Sequence, residues 1–311
     1  MEVGNQTLHI GFTFLGLTHE PHLKVLLFTL FTLVYTFTMV GNIGIIVLIW
    51  LASRLHTPMY FFLYHLSFVD LCYSSAIAPR MLADLVSKGL VISLISCMVQ
   101  LFFLCGFASV EAILLAVMAY DRYVAVCQPL HYMTIMTERL CARLVAAAYI
   151  GGILHSLVEV TCTSRLPFCR WEINHFCCDV PPLLKLSCSG TLSNEIAMFI
   201  FGGSLVITSV LGVLLSYGTI ILAVLRMHSS AARLRVFSTC FSHFTGVLLY
   251  FGTILFTYLR PSSSYSLDQD KAVTLFYTAV IPMLNPLIYS LRNQDVKEAL
   301  RQIMVRTAKH C

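Results

Sequence analysis

The chain has 311 residues, of which 58% are hydrophobic and 11% are charged, with a formal net charge of +5. Its mean hydropathy is +0.82, whereas a water-soluble domain carries about 25% charged residues. This composition excludes a water-soluble globular protein and predicts an integral membrane protein, with the lipid bilayer as a partner and no binding of nucleic acid.

Residues 1–22 form a short polar segment ahead of the first apolar stretch. The segment is too polar and too poor in basic residues for a cleaved signal peptide, so the first apolar stretch is expected to act as an uncleaved signal anchor. Asn5-Gln6-Thr7 is an N-glycosylation acceptor, which is modified only on the lumenal side of the membrane. Asn5 therefore predicts an extracellular tail.

Apolar stretches long enough to cross a membrane recur seven times, since a spanning helix needs about 20 mostly apolar residues. They cover residues 23–50, 58–86, 95–126, 140–160, 194–226, 232–260 and 269–291. The fourth is the weakest, because it contains two glycines together with His155 and Glu159. The fold class is therefore an all-α membrane protein, a seven-transmembrane helix bundle over residues 23–291 whose termini lie on opposite sides.

The basic residues near the span ends determine the orientation of the bundle. The segments after spans 1, 3 and 5, together with the tail, hold twelve of the twenty Lys and Arg residues and four carboxylates. The segments on the other side hold eight of each. The first set is therefore expected to be cytoplasmic, which predicts a multi-pass plasma-membrane protein with its N-terminus extracellular and its C-terminus cytoplasmic.

Two segments outside the spans have a pattern of their own. The longest loop, at about 161–193, is extracellular in this topology and rich in cysteine. The cytoplasmic tail, residues 292–311, places apolar residues at helical spacing opposite charged ones, which predicts a short interfacial helix. The apolar residues are Val296, Leu300, Ile303 and Met304, and the charged ones are Lys297, Glu298 and Arg301.

An Asp-Arg pair ends the third span, at Asp121 and Arg122. An unpaired charge within a membrane costs several kcal/mol, and the adjacent Asp121 can pair with Arg122. The alternative is that Arg122 only extends to the interface, as long basic side chains do.

Asp70 and Glu111 are carboxylates inside spans 2 and 3, and such groups are functional candidates. Their oxygens suit a sodium ion; alternatively one of them is protonated, because like charges at close range raise one pKa. A catalytic pair is disfavoured, since no nucleophile accompanies it, and no organic cofactor is expected. Neighbours that could share this site are Asn42, Ser67 and Asn285. Pro282 and Pro286 each remove a backbone donor and should kink span 7.

Several motifs are far more specific together than singly. They are Gly41-Asn42 in span 1, PMYFFLYHLSFVDLC in span 2, MAYDRYVAVCQPLHY at the end of span 3, RVFSTCFSH in span 6 and PMLNPLIYSLRN in span 7. With the loop INHFCCDVPPLLKLSC, this set resembles the vertebrate odorant (olfactory) receptors of the tetrapod type, class II, a branch of the rhodopsin-like G-protein-coupled receptors. The resemblance covers essentially the whole chain. The chain departs from the family pattern at three positions. Phe251 stands where the family usually has Tyr, although a tyrosine, Tyr250, comes directly before it. Tyr149 stands where the family usually has Trp, and Cys177 stands where it usually has Phe.

The resemblance implies two disulfides, Cys97–Cys178 and Cys169–Cys188, which would fold the long loop into a lid and leave Cys177 over. A zinc site at His175, Cys177 and Cys178, or a copper site at Cys105 and His155, is a less simple alternative.

A ligand cavity is expected in the outer half of the bundle, mostly apolar with a few polar groups. Helical spacing along span 3 indicates Leu101, Leu104, Cys105, Ala108 and Ser109. By resemblance, the facing residues are Phe201, Gly202, Leu205, Val206, Phe251, Ile254, Leu255, Tyr258, Leu275 and Thr278. Ser109, His155, Tyr258 or Thr278 would orient the ligand. No basic residue lies in the middle of this set, since Arg260 and Lys271 lie near its rim. A small carboxylate is therefore disfavoured, and a neutral or weakly polar odorant is expected.

The resemblance implies an odorant receptor that binds small, mostly hydrophobic volatile ligands, activates a heterotrimeric stimulatory olfactory-type G protein and raises cAMP. It is not expected to be an enzyme. The residues expected to couple ligand to G protein are Asp121, Arg122, Tyr123, Tyr217, His243, Asn285, Pro286 and Tyr289. A non-olfactory rhodopsin-like receptor for another small ligand is the nearest alternative, and a transporter is disfavoured because the two halves do not resemble each other.

Overall fold

The computed structural model describes residues 11–18, 20–87, 91–258, 267–290 and 294–308. Its helices, in chain order, are α1 (Pro21–Leu51), α2 (Pro58–Val86), α3 (Leu94–Cys127), α4 (Tyr132–Ile135), α5 (Glu138–Ser164), α6 (Val180–Leu184), α7 (Leu192–Leu225), α8 (Ser230–Tyr258), α9 (Leu267–Leu275), α10 (Ile281–Ser290) and α11 (Gln294–Ala308). A π-helical turn, Phe276–Val280, joins α9 to α10 without a break.

Seven long helical stretches correspond to the seven predicted spans: α1, α2, α3, α5, α7, α8 and the continuous α9–α10. Each boundary lies within four residues of the predicted one. Of the described helices, six are long and apolar enough to cross a membrane, and α8 has a shorter apolar stretch, Cys240–Leu255. The stretch is shorter because α8 begins with a polar, basic segment that includes Arg233. The predicted seven-helix bundle is confirmed.

Helix α3 lies in the middle of the bundle, where it packs against α2, α5, α7 and α8. One apolar core runs through the half of the bundle that contains Arg122, around Leu66, Leu114 and Tyr217. A second core lies under the long loop, around Phe12, Leu101 and Phe176. We refer to these two ends of the bundle as the Arg122 end and the loop end.

The outer faces of the helices expose large apolar side chains. On α7 alone, Phe199, Leu214 and Leu215 are more than half exposed. Water-soluble monomers rarely expose continuous apolar surface of this kind, so these faces are suited to lipid. The same property means that hydrophobicity alone does not indicate which face of a spanning helix points inward.

A small sheet covers the loop end. Strand β1 (Phe12–Phe14) pairs antiparallel with β2 (Val91–Ile92) and parallel with β3 (Glu172–Ile173), in the order β2-β1-β3. These strands cannot be predicted from the sequence, because two or three residues are too few to show an alternating pattern. The sheet ties the segment before α1 to the long loop.

Helix α11 follows the bundle at the Arg122 end, as the tail pattern predicted. Val296 is buried, whereas Leu300, on the predicted apolar face, is about half exposed. Arg54 forms an ion pair with Glu298 of this helix, and the Tyr60 hydroxyl lies 3.5 Å from Asp295 Oδ2. Both contacts tie α11 to the α1–α2 region.

Two glycines allow α3 and α5 to approach closely. A Cβ at Gly152 would lie 2.7 Å from Gly106 O and 2.6 Å from Val110 Cγ2, and a Cβ at Gly106 would lie 2.7 Å from Ser156 Oγ. Because such distances are far below van der Waals contact, any side chain at Gly152 would push the two helices apart. Small residues serve this purpose in many membrane-helix interfaces.

We expect Gly152→Ala to destabilise the bundle by about 1–3 kcal/mol, the usual effect of overpacking. Gly218→Ala on α7 is the matched control, since a Cβ there has nothing within 4 Å. That control should be neutral or slightly stabilising, because alanine is the better helix former. The measurement is the melting temperature of the detergent-purified receptor. Equal melting temperatures for the two variants would contradict the close-contact argument.

Candidate functional site: a cavity under the loop and an ion pair at the opposite end

A cavity of about 350 Å³ opens between α3, α5, α7, α8 and α9, beneath the long loop. Most of its wall is apolar. The predicted residues that line it are Leu104, Cys105, Ala108, Ser109, His155, Gly202, Leu205, Val206 and Ile254. The remaining lining residues are Ala112, Glu159, Asp179, Val180, Pro181, Met198, Tyr250, Asp270, Thr274 and Tyr277.

Several predicted ligand residues do not line this cavity. Leu101 is fully buried in the core under the loop, and Phe201 lies on the outer face of α7, about half exposed. Phe251 is buried against the edge of Tyr250, with ring centroids 5.3 Å apart. Leu255 also lies outside the lining set, and the side chain of Tyr258 lies outside the described residues, as does Asn5.

The last span is rotated by one position relative to the prediction. Thr274 and Tyr277 line the cavity in place of Leu275 and Thr278. The π-helical turn adds one residue between this segment and Asn285. A residue of α9 that is placed from Asn285 with ordinary α-helical spacing is therefore assigned a direction that is wrong by about 100°, the rotation of one residue.

Tyr250 supplies the phenol hydroxyl that Phe251 lacks. It lines the cavity, and its hydroxyl donates to Ala108 O at 2.5 Å. The hydroxyl is therefore present on the cavity wall, one position before the usual one, and it joins α8 to α3.

A chain of polar contacts leads from α3 to α5 along the cavity wall. The Ser109 hydroxyl donates to Cys105 O at 2.8 Å, and Ser109 Oγ lies 2.8 Å from His155 Nδ1. His155 Nε2 lies 3.4 Å from Glu159 Oε1, one turn further along α5. Neither of these two atoms has a hydrogen-bond partner among the described residues. In the sequence, Glu159 reduces the apolar character of the fourth span, and its i,i+4 spacing from His155 is the signal that predicts their contact.

The loop that covers the cavity is held at several points. The implied disulfide Cys97–Cys178 joins the loop to α3, and the implied disulfide Cys169–Cys188 lies within the loop. Gln100 Oε1 accepts the Cys178 N–H at 3.0 Å.

Asp179 attaches the start of α6 to the last span. Its carboxylate accepts Val180 N–H at 2.8 Å and the Tyr277 hydroxyl at 3.2 Å. Burial raises the pKa of Asp179 to about 6, although the bond from Val180 opposes the shift.

Cys177 and His175 lie fully buried inside the loop. Cys177 is a free thiol whose Sγ is 3.4 Å from His175 Nδ1, and Cys178 is in a disulfide. Throughout the described part of the chain, no group of three or more His, Cys, Asp or Glu side chains is arranged to hold a metal ion. In this arrangement the disulfide occupies Cys178, one of the three ligands of the alternative zinc site.

Three buried polar side chains meet in the middle of the bundle. Asn285 Nδ2 donates to Asp70 Oδ2 at 3.0 Å and lies 3.5 Å from Glu111 Oε1. The other oxygens, Asp70 Oδ1 and Glu111 Oε2, are buried without a hydrogen-bond partner among the described residues. Two carboxylates that approach the same buried amide are a candidate site for a proton or a cation.

Pro286 leaves the carbonyl of Pro282 without its helical donor. Asn42 Nδ2 donates to this carbonyl at 3.0 Å and to Thr38 O at 2.9 Å. Asn42 therefore compensates for the donor that the proline removes. Gly41 lies beside Pro286, where a Cβ would be 3.1 Å from the proline ring.

At the Arg122 end, Arg122 is paired as the sequence analysis expected. Its Nη2 lies 2.7 Å and its Nε 3.2 Å from Asp121 Oδ2, and only 8% of the residue is exposed. The Tyr132 hydroxyl donates to Asp121 Oδ1 at 2.7 Å. The carboxylate thus holds Arg122 inward and is itself held by the segment after α3.

Four further predicted coupling residues, Tyr123, Tyr217, His243 and Tyr289, make contacts of their own. Tyr217 bonds His243 Nδ1 at 2.7 Å, and the Tyr289 ring lies 6.4 Å from the His243 ring. The Tyr289 hydroxyl has no hydrogen-bond partner among the described residues. Tyr123 is half-buried, and its hydroxyl accepts a 3.4 Å bond from Gln128. Neither Tyr217 nor Tyr289 hydrogen-bonds Arg122 in this arrangement.

A seven-helix membrane bundle with a covered cavity at one end and a buried Asp-Arg pair at the other belongs to the receptor class of membrane proteins. The family model for olfactory receptors matches residues 31–307. Olfactory receptor 5AR1 of Mus musculus and that of Homo sapiens are each 50% identical over 305 residues, covering 98% of both chains. Olfactory receptor 5W2 of Homo sapiens is 52% identical over 293 residues, covering 94% of both. The chain therefore belongs to the olfactory receptor family, and it is an odorant receptor of the G-protein-coupled type.

We expect the stability of the loop to fall with acid because of His175. Burial lowers the pKa of His175 to about 4, from an unfolded value near 6.5. The stabilisation from its neutral form is complete above about pH 6.5 and is lost as pH falls through about 4, by at most about 3 kcal/mol. His175→Gln should flatten the melting temperature measured from pH 7 to 4.

Exposed His22→Gln, at the same end of the bundle, is the matched control and should keep the wild-type pH profile. Asp179 acts in the opposite direction, because its raised pKa stabilises the folded form as pH falls through about 6. Its contribution is common to all three proteins and cancels in the comparison. If the melting temperatures of wild type and His175→Gln depend on pH in the same way, the loss of stability in acid does not come from His175.

Proposed function

We propose that this receptor binds small, mostly hydrophobic volatile ligands in the cavity under the loop and activates a stimulatory olfactory-type G protein, raising cAMP. The cavity carries the proposal. A volume of about 350 Å³ with a largely apolar wall and a few polar groups is typical of a small-molecule site.

We propose that the loop end is extracellular and the Arg122 end cytoplasmic. The disulfides support this orientation, because they form in an oxidising compartment. The excess of basic residues at the opposite end supports it independently. Glycosylation of Asn5 would follow from the same topology.

In the proposed mechanism, the ligand acts by preferring one packing of the helices over another. Differential affinity for the two arrangements shifts their populations. A shift from about 1% to 99% needs roughly 5.5 kcal/mol of preference, more than a small volatile supplies alone. The G protein provides the rest by binding the open Arg122 end, where Arg122 leaves Asp121 and faces the partner.

A cation or a shared proton at Asp70 and Glu111 would stabilise the inactive packing. The two carboxylate oxygens without partners support this site, and Asn285 joins it to α10. Sodium suits such oxygen ligands. Any movement of α10 would change the distance of Asn285 from the two carboxylates, so the site would be sensitive to activation.

Reducing the cavity should weaken the response to odorants. Val206 lines the cavity, and its neighbour Ile207 lies on the outer face of α7, 54% exposed. We expect Val206→Phe to raise the half-maximal concentration of active volatiles by about tenfold or more, since its ring takes up space that the ligand needs. Ile207→Phe, the matched control, should leave it unchanged. The measurement is cAMP accumulation in transfected cells, and equal dose-response curves would contradict the proposed ligand site.

Removing the Arg122 guanidinium should abolish signalling without removing the receptor from the surface. Arg122→Gln is expected to lower odorant-evoked cAMP at least about tenfold, because a buried charged group contributes interactions that a neutral amide does not replace. Exposed Arg139 on α5 provides the matched control Arg139→Gln. The cAMP responses of both variants are normalised to the amount of receptor at the cell surface, measured by surface labelling. A normal cAMP response from Arg122→Gln would argue against the coupling role.

A further inference from the structure

The charged side chains that line the cavity are acidic. Three of its lining residues are acidic, Glu159, Asp179 and Asp270, and no Lys or Arg is among the described residues that line it. His155 is the one base on the wall. Such a surface disfavours anionic ligands and favours a positive charge, since charges of one sign around a poorly solvated space reinforce one another.

Two of the carboxylates already have partners that account for their positions. Asp179 accepts bonds from Val180 and Tyr277. Asp270 interacts electrostatically with Lys185 of the loop. Glu159 differs from both: it is 97% buried, it faces the cavity, and its Oε1 has no hydrogen-bond partner among the described residues.

The contacts of His155 explain why Glu159 lacks a partner. The single proton of the Ser109 hydroxyl is donated to Cys105 O. With that proton committed, the tautomer of neutral His155 that satisfies the 2.8 Å contact has its proton on Nδ1 and donates it to Ser109 Oγ. In this tautomer Nε2 is an acceptor, 3.4 Å from the acceptor Glu159 Oε1, and the two atoms have no donor between them.

We propose that the cavity takes a ligand carrying a protonated primary amine, whose nitrogen donates one proton to Glu159 Oε1 and one to His155 Nε2. The apolar body of the ligand packs against the α7 and α8 side of the cavity, against Val206 and Ile254. The inference rests on the cavity being the odorant site, and it names a cationic head group where the sequence analysis expected a neutral one.

The rival arrangement is an internal one, in which a proton between His155 and Glu159 satisfies both and the ligand is neutral. The two arrangements differ in what they predict for ligands of the same shape. A cation site distinguishes an amine from its isosteric alcohol, because a buried carboxylate forms a stronger, charge-assisted bond with an ammonium. An internal pair does not favour the amine.

The test is a cAMP dose-response panel of primary alkyl amines of about six to eight carbon atoms, a size suited to a small cavity, with their matched alcohols, aldehydes and carboxylic acids. We expect amines to activate the wild-type receptor at concentrations at least about tenfold lower than the matched alcohols. Glu159→Gln should remove this preference by raising the half-maximal amine concentration about tenfold or more, and Glu159→Asp should retain part of it.

Glu172→Gln is the matched control, because Glu172 carries the same charge, is exposed on strand β3 and does not line the cavity. It should leave the amine preference unchanged. Surface labelling shows whether each variant reaches the membrane, and Glu159→Asp keeps the test valid if Glu159→Gln does not.

Amines that are silent, or that are no better than their alcohols, would overturn the inference. If neutral compounds then activate the receptor and lose potency in Val206→Phe, the proposed function stands and only the amine is wrong. If responses to every class are insensitive to Val206→Phe, the cavity is not the ligand site and the proposed function fails with the inference.

Discussion

The close approach of α3 and α5 is the constraint on which the rest of the structure depends. With no side chain at Gly106 or Gly152, the two helix backbones come near enough for Ser156 Oγ to donate to Phe102 O at 2.9 Å. About two turns further along α3, the same proximity brings Ser109 to His155. A wider separation would break both contacts and leave polar groups unpaired in a medium that offers no water. The cavity wall on this side is therefore rigid, and its polar groups are held in defined positions.

The opposite wall is built differently. Helix α8 reaches α3 through the Tyr250 hydroxyl at the cavity, and two turns earlier it reaches α7 through the bond between His243 and Tyr217. The same helix therefore carries one contact with the cavity and one contact beside Arg122. A ligand that prefers another position of α8 acts on both contacts at once, because a helix moves as a nearly rigid unit. This gives a physical route between the ends that needs no chain of intermediate rearrangements.

Buried charge has three distinct arrangements in this bundle. Arg122 and Asp121 neutralise each other, with Tyr132 satisfying the remaining oxygen. Asp70 and Glu111 both approach the amide of Asn285. Glu159 faces the cavity, and its Oε1 lies 3.4 Å from His155 Nε2 without a hydrogen bond among the described residues. Since an uncompensated charge within the membrane is costly, the three arrangements indicate three sites at which binding or protonation changes the energy of the bundle.

The sequence by itself determined the membrane class, the number of helices and their boundaries, because these depend on the composition of continuous segments. It also paired Arg122 with its neighbour Asp121, and its resemblance to a known family implied both disulfides. Only the tertiary structure decided how each helix is rotated about its axis. In the structure Thr274 and Tyr277 face the cavity, instead of Leu275 and Thr278. Phe201 points outward. Three acidic residues line the same cavity: Glu159, Asp179 and Asp270. The physical reason is that a spanning helix is apolar on its lipid face and on its packed face alike. Hydrophobic periodicity, which reveals the inner face of a helix in water, therefore carries little information here, and a single π-helical turn is enough to change which residues face the cavity.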